Sequence, residues 1–409
     1  ASPRFDAREV ARYRCSKEGG FCLLSSATPS LESFYMAQKG FYRFHKLEKR
    51  FGSAKIPKVE LADMNWEDYP GGELAIGASL ADALRENLAK DKQSIILLNR
   101  RGYHTFASCR SCREVVSCPN CSISLTYHSA NHRLMCHYCG FSTPATKQCP
   151  SCGGESLTFR GLGTQKAEEQ LRELFPDAGI LRVDTDSMSG RYSLERKLEE
   201  FAKGEYDIMV GTQMVAKGLN FENVTLVGVL SADQSLYSDD FRSNERTFDL
   251  LTQVVGRAGR GKFPGKAIVQ TFAPENPILH LSAKQDYFGF SIRELEYRRS
   301  LLYPPFVDLL VIGFVGTDDE LTRGAAQRFL IEFGDMAKRD YPNLPLRALK
   351  PSPATMVKVS GKYRYKIIIK CRNSPQLRAM ISRLLTDFAT IKDYQRVTVY
   401  ADSSPNRIM

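Results

Sequence analysis

The chain has 409 residues, 43% of them apolar and 25% charged, and a formal net charge of +11. Its length and apolar content predict a globular protein with about two or three hydrophobic cores. Its longest apolar run, 309–315, is far shorter than the ~20 residues that span a bilayer, so we exclude a membrane-spanning protein. Because no signal peptide opens the chain, we expect a soluble intracellular protein. The positive charge favours a polyanionic partner over an acidic small molecule.

The first recognisable element is the stretch FCLLSSATPS at 21–30, which is typical of a strand that runs into a turn. Thr28 is suited to cap a helix that begins at Pro29. The charged stretch 46–73 then predicts an extended linker. Residues 79–90, with leucines at four-residue spacing, predict a helix with one buried face.

Eight of the eleven cysteines form four C-x-x-C pairs. The pairs are Cys109/Cys112, Cys118/Cys121, Cys136/Cys139 and Cys149/Cys152. Eight thiolates are enough for two tetrahedral zinc sites of four cysteines each, and zinc with four thiolates is structural because no coordination position stays open. Disulfides are the competing interpretation, but a reducing compartment disfavours them and a C-x-x-C pair suits one metal better than one crosslink.

The residues between the second and third pairs favour one grouping of the cysteines. The strand-like segments 123–127 and 133–135 flank a turn, which predicts a hairpin that brings the second pair to the third. The first and last pairs would then hold the second zinc ion at the base of the module. Sequential grouping stays open, because the loop between the first two pairs is short but not prohibitive. We interpret His128, His132 and His137 as surface residues.

On both sides of the cysteine-rich region, strand-like segments alternate with helical ones. The strand-like segments are 94–99, 156–161, 180–186, 207–212, 225–233 and 266–272. The helical segments are 165–175, 193–203 and 243–255. This alternation predicts a parallel sheet with helices on both faces and ligands at the carboxyl ends of the strands. The cysteine-rich region follows the first of these strands, so we interpret it as an insertion.

The sequence QVVGRAGRG at 253–261 places two arginines among small residues after a glutamine. Arg257 and Arg260 are typical of groups that stabilise a triphosphate during its cleavage, and we expect the small side chains to let a phosphate approach the backbone. Solvated arginines at a helix end are the competing interpretation. The loop that would hold the phosphates, G-x-x-x-x-G-K-[ST], is absent from the sequence. The acidic run Asp318-Asp319-Glu320 is interpreted as a polar turn after a strand.

The last third of the chain carries a cluster of one charge sign. Eight basic residues and no acidic one lie between 347 and 372, beside Tyr363 and Tyr365, and 367–369 is typical of a buried strand. The basic residues are Arg347, Lys350, Lys358, Lys362, Arg364, Lys366, Lys370 and Arg372. Basic clusters with aromatic residues fit phosphate contacts and base stacking, whereas a solvated face is the competing interpretation. We predict DNA contacts from Lys358, Lys362, Arg364 and Lys366.

Four stretches, in order, resemble motifs III to VI of superfamily 2 helicases. They are SATPS (26–30), NRRGY (99–103), VGTQMVAKGLNF (210–221) and QVVGRAGR (253–260). The eight-cysteine insertion, PRFDAREVARYR (3–14) and YPPF (303–306) narrow the resemblance, over nearly the whole chain, to the PriA family of replication restart helicases. The resemblance implies a carboxy-terminal fragment, with DNA-binding domains, the phosphate loop and a DEEH box before residue 1. One departure is Asn220, where related helicases often have an acidic residue.

The resemblance also implies roles for individual residues. In the cleft between two RecA-like lobes it implies catalytic roles for Gln253, Arg257 and Arg260, and cofactor contacts from Lys217 and Gly218. It implies DNA contacts from Thr212, Gln213, Arg100 and Arg101. Ser26 and Thr28 of motif III would couple the nucleotide site to DNA.

The predicted fold class is α/β. It comprises a RecA-like helicase lobe 2, a parallel sheet with helices on both faces, with an inserted zinc module that has two four-cysteine sites and an α+β carboxy-terminal domain. The predicted domains are the end of lobe 1 (1–45), a linker (46–75), lobe 2 (76–108 and 156–300), the zinc insertion (109–155) and a carboxy-terminal domain for DNA and protein binding (301–409).

Two classes of function follow. The resemblance implies a parent enzyme that uses ATP and Mg²⁺ to translocate 3′ to 5′ on DNA, binds branched forks and assembles the primosome, while this chain alone hydrolyses no ATP. The alternative is a non-catalytic, zinc-dependent module that binds DNA or protein. The implied partners are branched and single-stranded DNA, the single-strand DNA-binding protein and other primosome proteins. The implied setting is the bacterial cytoplasm, associated with the nucleoid, as a monomer with no membrane contact.

Overall fold

The computed structural model describes most of the chain. The described residues are 6–47, 56–68, 75–98, 105–109, 111–112, 114–119, 124–128, 132–136, 141–146, 148–155, 157–160, 164–183, 191–212, 221–237, 240–259, 263–403 and 405. They divide into two compact units, of which the first joins Ala1–Arg43 to Tyr297–Met409 and the second is Phe44–Glu296. Within the described ranges, no helix is long and apolar enough to cross a membrane.

The elements are numbered in chain order. The helices are α1 (Ala7–Lys17), α2 (Leu31–Gln38), α3 (Ala78–Leu88), α4 (Thr164–Leu174), α5 (Arg191–Ala202), α6 (Asp233–Leu236), α7 (Ser243–Val255), α8 (Pro277–Ala283), α9 (Tyr287–Ser300), α10 (Asp319–Asp340) and α11 (Pro375–Ala389). The strands are β1 (Lys58–Asp63), β2 (Gln93–Leu98), β3 (Thr105–Cys109), β4 (Thr126–His128), β5 (Arg133–Met135), β6 (Ser142–Pro144), β7 (Leu157–Arg160), β8 (Ile180–Val183), β9 (Ile208–Gly211), β10 (Val224–Leu230), β11 (Lys266–Thr271), β12 (Asp308–Gly316), β13 (Arg347–Ala348), β14 (Ser352–Val359), β15 (Lys362–Cys371) and β16 (Thr398–Ser403).

The second unit is built on a six-stranded parallel sheet. The strand order is β1-β11-β10-β2-β9-β8, and every residue of β2, β9 and β10 is buried. Strands that are buried along their whole length need cover on both faces of the sheet. On one face, leucines of α3 and α4 such as Leu80, Leu84 and Leu171 pack on the strands. The predicted parallel sheet is therefore confirmed.

One strand of this sheet lies in the predicted linker. β1 pairs in parallel with β11 at the edge of the sheet, and Glu60 forms an exposed ion pair with Lys266 at 3.1 Å. An edge strand has one open side and tolerates charged residues. The charged sequence KVELAD therefore has the composition of a linker although it forms a strand.

The cysteine-rich region forms a separate antiparallel sheet in the order β6-β5-β4-β3-β7. The predicted hairpin is confirmed, because β4 pairs with β5 in the register Tyr127 to Leu134. The prediction that 156–161 is a strand of the parallel sheet is wrong. β7 instead pairs with β3 and closes the cysteine module, because a four-residue strand carries too little local pattern to identify its neighbour.

The start of α2 also differs from the prediction. Residues 21–26 form no strand, and the cap of α2 is Ser30, whose side chain accepts a hydrogen bond from the Ser33 amide at 3.3 Å. Thr28 is buried, and its amide donates to the Ser26 hydroxyl at 3.1 Å while that hydroxyl donates to the Thr28 carbonyl at 2.9 Å. Thr28 thus forms the turn before the helix, and Ser30 satisfies the helix N-terminus.

The carboxy-terminal part of the first unit is an α+β domain, as predicted. Strands follow the order β13-β15-β12-β16, with β14 also paired to β15. Helices α10 and α11 cover one face of the sheet, where Phe329 packs edge to face against Phe314 at 5.5 Å and Phe388 at 5.3 Å. The predicted buried strand at 367–369 lies within β15. Asp318 ends the turn after β12 and caps α10.

Candidate functional site

Four cysteines converge at the base of the cysteine module. The Sγ atoms of Cys109, Cys112, Cys149 and Cys152 all lie within 4.8 Å of one another. The Cys109–Cys152 and Cys112–Cys149 sulfur distances are 3.7 and 3.6 Å. Zinc–sulfur bonds of ~2.3 Å in a tetrahedron place sulfurs ~3.8 Å apart, whereas a disulfide needs ~2.05 Å. The cluster fits one metal ion, and its cysteines are the first and last pairs and not two sequential ones.

Short backbone turns hold these cysteines in place. Cys109 ends β3, and its amide donates to the Glu114 carbonyl at 2.9 Å. The Cys149 amide donates to the Gly154 carbonyl at 2.8 Å, and Gly153 returns a bond to the Cys149 carbonyl at 2.9 Å. Gly153 has a φ of +74°, a conformation that glycine adopts without strain. Each turn directs its two sulfurs toward one point.

The electrostatics of the cluster favour a bound cation. The backbone N–H groups of Cys112 and Ser111 lower the pKa of the Cys109 thiol to about 6, so it is a thiolate at neutral pH. The Glu114 N–H lowers the pKa of Cys112, but burial and the neighbouring thiols outweigh it and raise that pKa to about 12. Without a metal, Cys109 is therefore a thiolate while Cys112 keeps its proton. A divalent cation would displace the remaining thiol protons of the cluster and neutralise the thiolate charge.

The predicted second zinc site is only partly described. Cys118 and Cys136 are both buried in the same small core as the first cluster. Cys121 and Cys139 lie outside the described residues, so this site stays a prediction. His132 is exposed, and its Nδ1 lies 2.8 Å from the hydroxyl of Tyr127. It is a surface residue, as predicted, whereas His137 and the side chain of His128 lie outside the description.

The motif that contains the two arginines begins at the end of α7. Gln253 is exposed in the last turn of the helix, and Arg257 is half-buried in the turn that follows. Ala258 and Gly259 are buried, and a Cβ on Gly259, whose φ is +70°, would lie 2.5 Å from the Gly265 nitrogen. The small residues therefore make room for the backbone of the chain itself. Whether a phosphate also approaches this turn stays a prediction.

The remaining residues of the helicase motifs are mostly outside the description. Thr212 is half-buried just after β9, and its amide lies 3.4 Å from the Val183 carbonyl. The candidate residues outside the described ranges are Arg100, Arg101, Gln213, Lys217, Gly218 and Arg260. Their predicted contacts with nucleotide and DNA stay predictions.

Asp233 lies just beyond the carboxyl end of β10, at the start of the short helix α6. Its side chain is fully buried and accepts hydrogen bonds from the Thr271 hydroxyl at 2.6 Å and the Phe272 amide at 3.0 Å. These bonds tie the ends of β10 and β11 together. The sequence signal for this role was an acidic residue just after a strand that is buried along its whole length. A carboxylate at such a position is itself buried and needs hydrogen-bond partners.

The basic cluster of the last third divides by burial. Lys358 lies 4.5 Å from the ring centroid of Tyr363 and 3.2 Å from its hydroxyl, and Lys362 is exposed. Arg364 is half-buried. In contrast, only 1% of Lys366 is exposed, because β15 is buried on both faces from residue 365 onward. The predicted DNA contact at Lys366 is therefore not supported.

Lys370 of this cluster and the neighbouring Tyr365 are engaged within the domain. Tyr365 is buried, and its hydroxyl donates to Asp319 at 2.8 Å. Burial and the Asp319 carboxylate raise the pKa of Tyr365, so it stays neutral. Lys370 donates to the Leu301 carbonyl at 2.5 Å and lies 3.9 Å from the ring centroid of Tyr303. Of the two interleaved tyrosines, only Tyr363 remains a candidate for stacking on a base.

These features define a class of protein, the carboxy-terminal lobe of a helicase with a zinc-binding insertion. They are the RecA-like parallel sheet, the turn after α7 that contains Arg257, and the four-cysteine cluster of the inserted module. Three family models match the chain. They are the PriA DNA helicase Cys-rich region domain at residues 118–144, the helicase conserved C-terminal domain at 163–262 and the primosomal protein N C-terminal domain at 299–406.

Curated relatives match the chain over most of its length. The replication restart protein PriA of Bacillus subtilis (strain 168) is 39% identical over 407 residues, which cover 100% of this chain and 50% of that protein. The PriA protein of Synechocystis is 38% identical over 377 residues, which cover 90% of this chain and 45% of that protein. The chain belongs to the PriA family of replication restart proteins. It spans about half the length of these relatives.

Proposed function

We propose that this chain contributes a RecA-like lobe to an ATP-dependent DNA helicase that restarts replication. The complete protein would translocate 3′ to 5′ on DNA, bind branched forks and assemble the primosome. The observation that carries the proposal is the turn after α7, where Gln253 and Arg257 stand at the end of a helix in a lobe that matches the helicase family. Arginines in such turns stabilise the transferring phosphoryl group in nucleotide-hydrolysing enzymes.

The sequence has no phosphate loop, so hydrolysis needs a second lobe that fixes ATP and Mg²⁺. Arg257 and Arg260 would then contact the phosphates, with Gln253 beside them and Lys217 and Gly218 close to the nucleotide. Residues proposed to contact the DNA backbone in this lobe are Thr212, Gln213, Arg100 and Arg101.

Two zinc ions would stabilise the cysteine module. The first would take Cys109, Cys112, Cys149 and Cys152, whose sulfur distances fit tetrahedral coordination. The second would take Cys118, Cys121, Cys136 and Cys139. Because four thiolates leave no open position, each ion would crosslink the chain and take no part in catalysis.

Lys358, Lys362 and Arg364 are proposed as phosphate contacts, with Tyr363 as a stacking residue. The partners would be branched and single-stranded DNA, the single-strand DNA-binding protein and other primosome proteins. The protein would act as a monomer in the bacterial cytoplasm, associated with the nucleoid. The predicted division into the end of lobe 1, lobe 2, a zinc insertion and a carboxy-terminal domain forms part of this proposal, with β1 assigned to lobe 2 and β7 to the zinc insertion.

ATP hydrolysis measured with and without forked DNA tests the proposal. We expect no hydrolysis by this chain alone and DNA-stimulated hydrolysis by the complete protein. Arg260→Ala should lower turnover of the complete protein on the order of 10³-fold, while zinc content and DNA binding stay nearly unchanged. Arg293→Ala, an exposed arginine on α9, is the control. Robust DNA-stimulated hydrolysis by residues 1–409 alone would overturn the need for a second lobe.

The alternative function is a non-catalytic, zinc-dependent module that binds DNA or protein. The absence of a phosphate loop from the sequence favours it for this chain in isolation. As the function of this chain in isolation, it is compatible with ATP hydrolysis by the complete protein, and the two functions then hold together. If the complete protein also hydrolyses no ATP with forked DNA present, only the non-catalytic function remains.

A further inference from the structure

A buried arginine marks the point where α9 meets the Tyr-Pro-Pro-Phe turn. Arg298 has 0% of its side chain exposed, and its Nη1 lies 3.5 Å from Glu32 Oε1 and 3.5 Å from the Pro304 carbonyl oxygen. A guanidinium that has left water needs an opposite charge and hydrogen-bond acceptors to be tolerated. The Glu32 carboxylate and the Pro304 carbonyl therefore fix the position of the Arg298 side chain, and the ion pair with Arg298 fixes the position of Glu32.

Glu32 belongs to the helix that follows the SATPS motif. It lies in the first turn of α2, whose N-terminus is capped by Ser30. Three residues later on the same helix, Tyr35 packs edge to face against Phe306 with ring centroids 5.2 Å apart. Residues at i and i+3 share one face of a helix. One face of α2 therefore contacts both the buried arginine and the end of the Tyr-Pro-Pro-Phe turn.

The other side of this turn contacts the antiparallel sheet. Tyr303 is buried, and the ammonium of Lys370 lies 3.9 Å from its ring centroid. Lys370 also donates to the Leu301 carbonyl at 2.5 Å. Since Lys370 lies in β15, a continuous series of contacts runs from α2 through the turn to this strand.

We propose that Arg298 is a positioning residue that fixes the SATPS turn relative to the sheet of the carboxy-terminal domain. The step from α2 to the motif is short, because the Ser26 hydroxyl bonds both the amide and the carbonyl of Thr28 immediately before the Ser30 cap. With Arg298 paired to Glu32, a displacement of the sheet carries the motif with it. The inference rests on the proposed function, in which the sheet carries DNA contacts, and on the role that the resemblance implies for Ser26 and Thr28, which is to couple the nucleotide site to DNA.

Hydrogen exchange on this chain tests the structural part. Glu32→Gln keeps the size of the half-buried side chain but removes the negative charge that faces the buried Arg298 guanidinium. Arg298→Lys keeps the positive charge but replaces the planar guanidinium with an ammonium group. Both should speed exchange of the α2 amides by about tenfold, the factor expected when a charged hydrogen bond is lost, and leave β12 and β15 unchanged. Glu320→Gln is the control, because Glu320 is an exposed glutamate in the first turn of α10. Unchanged exchange in α2 of Glu32→Gln would overturn the proposal.

ATP hydrolysis by the complete protein tests the positioning role. Glu32→Gln should lower DNA-stimulated kcat by about tenfold or more, since small misplacements of catalytic elements cost up to ~10²-fold. The KM for ATP and the rate without DNA should stay unchanged. A fall of both rates by one factor would mean a loss of folded protein, and no change would mean no coupling, so either result overturns the role. If the unsubstituted complete protein hydrolyses no ATP, the proposed function fails while the exchange result still decides the Arg298 contact.

Discussion

Replacement of one cysteine in the four-sulfur cluster tests whether metal holds the cysteine module together. Cys109→Ser removes a buried ligand whose sulfur lies 3.7 Å from that of Cys152. A serine hydroxyl is a much weaker zinc ligand than a thiolate, because zinc prefers soft donors and the hydroxyl keeps its proton. We expect the variant to lose one zinc ion and to unfold the antiparallel sheet around β3 and β7. The six-stranded parallel sheet should stay folded.

The size of the effect follows from the small core of the module. Its aliphatic side chains beside Ala107 are Val116, Leu125, Leu134 and Leu157. At about 1.5–3 kcal/mol for each buried side chain, these four contribute about 6–12 kcal/mol. A structural zinc ion contributes about 10–16 kcal/mol. The free energy of binding one zinc ion is therefore at least as large as that of burying these four side chains. Loss of one ion should leave the base of the module unfolded.

Elemental analysis and limited proteolysis measure the two consequences. The unsubstituted chain should hold two zinc ions and resist cleavage between β3 and β7, whereas Cys109→Ser should hold one and be cleaved there. Cys371→Ser is the matched control, because Cys371 is a buried thiol in β15 with no partner at metal spacing. Full zinc content and full protease resistance in Cys109→Ser would refute the shared site.

Three further predictions follow from the described residues. Gly259→Ala should lower the free energy of unfolding by about 1–3 kcal/mol through backbone strain, because its φ is +70° and its Cβ would meet backbone atoms; an unchanged denaturation midpoint would contradict this. Reversal of Lys358 and Lys362 to Glu should weaken binding to forked DNA and reduce the salt slope by about 2, whereas an unchanged slope would make the cluster a solvated face. Burial raises the pKa of the Cys371 thiol to about 11, so alkylation at pH 8 should be far slower at Cys371 than at the exposed Cys22, and equal rates would disprove the burial. The neutral Cys371 thiol contributes stability that is full below the unfolded pKa of about 8.5 and is lost as pH rises through about 11.

Much of the architecture was predictable because the relevant signals are local. The hairpin of β4 and β5 follows from two short strand-like segments and the turn between them. The parallel sheet follows from alternating apolar strands and amphipathic helices. The grouping of the first and last cysteine pairs was favoured for the same reason, since a hairpin that joins the inner pairs leaves the outer pairs to each other.

Other features depend on contacts between distant parts of the chain. β1 has the composition of a linker and becomes a strand only because β11 lies beside it. β7 has the pattern of any short strand, and its pairing with β3 assigns it to the cysteine module. Neither partner is encoded near the strand itself, so pattern alone assigned both wrongly.

The candidate DNA surface and the ion pair of Arg298 also depend on contacts that the local sequence pattern does not encode. The sequence alone determined that basic residues and tyrosines cluster near β15. Only the tertiary structure decided that Lys358 and Lys362 stay near the surface while Lys366 is buried. It also decided that Arg298 meets Glu32, far away along the chain. The physical reason is that charge and periodicity belong to a segment, whereas burial depends on what packs against both faces of that segment.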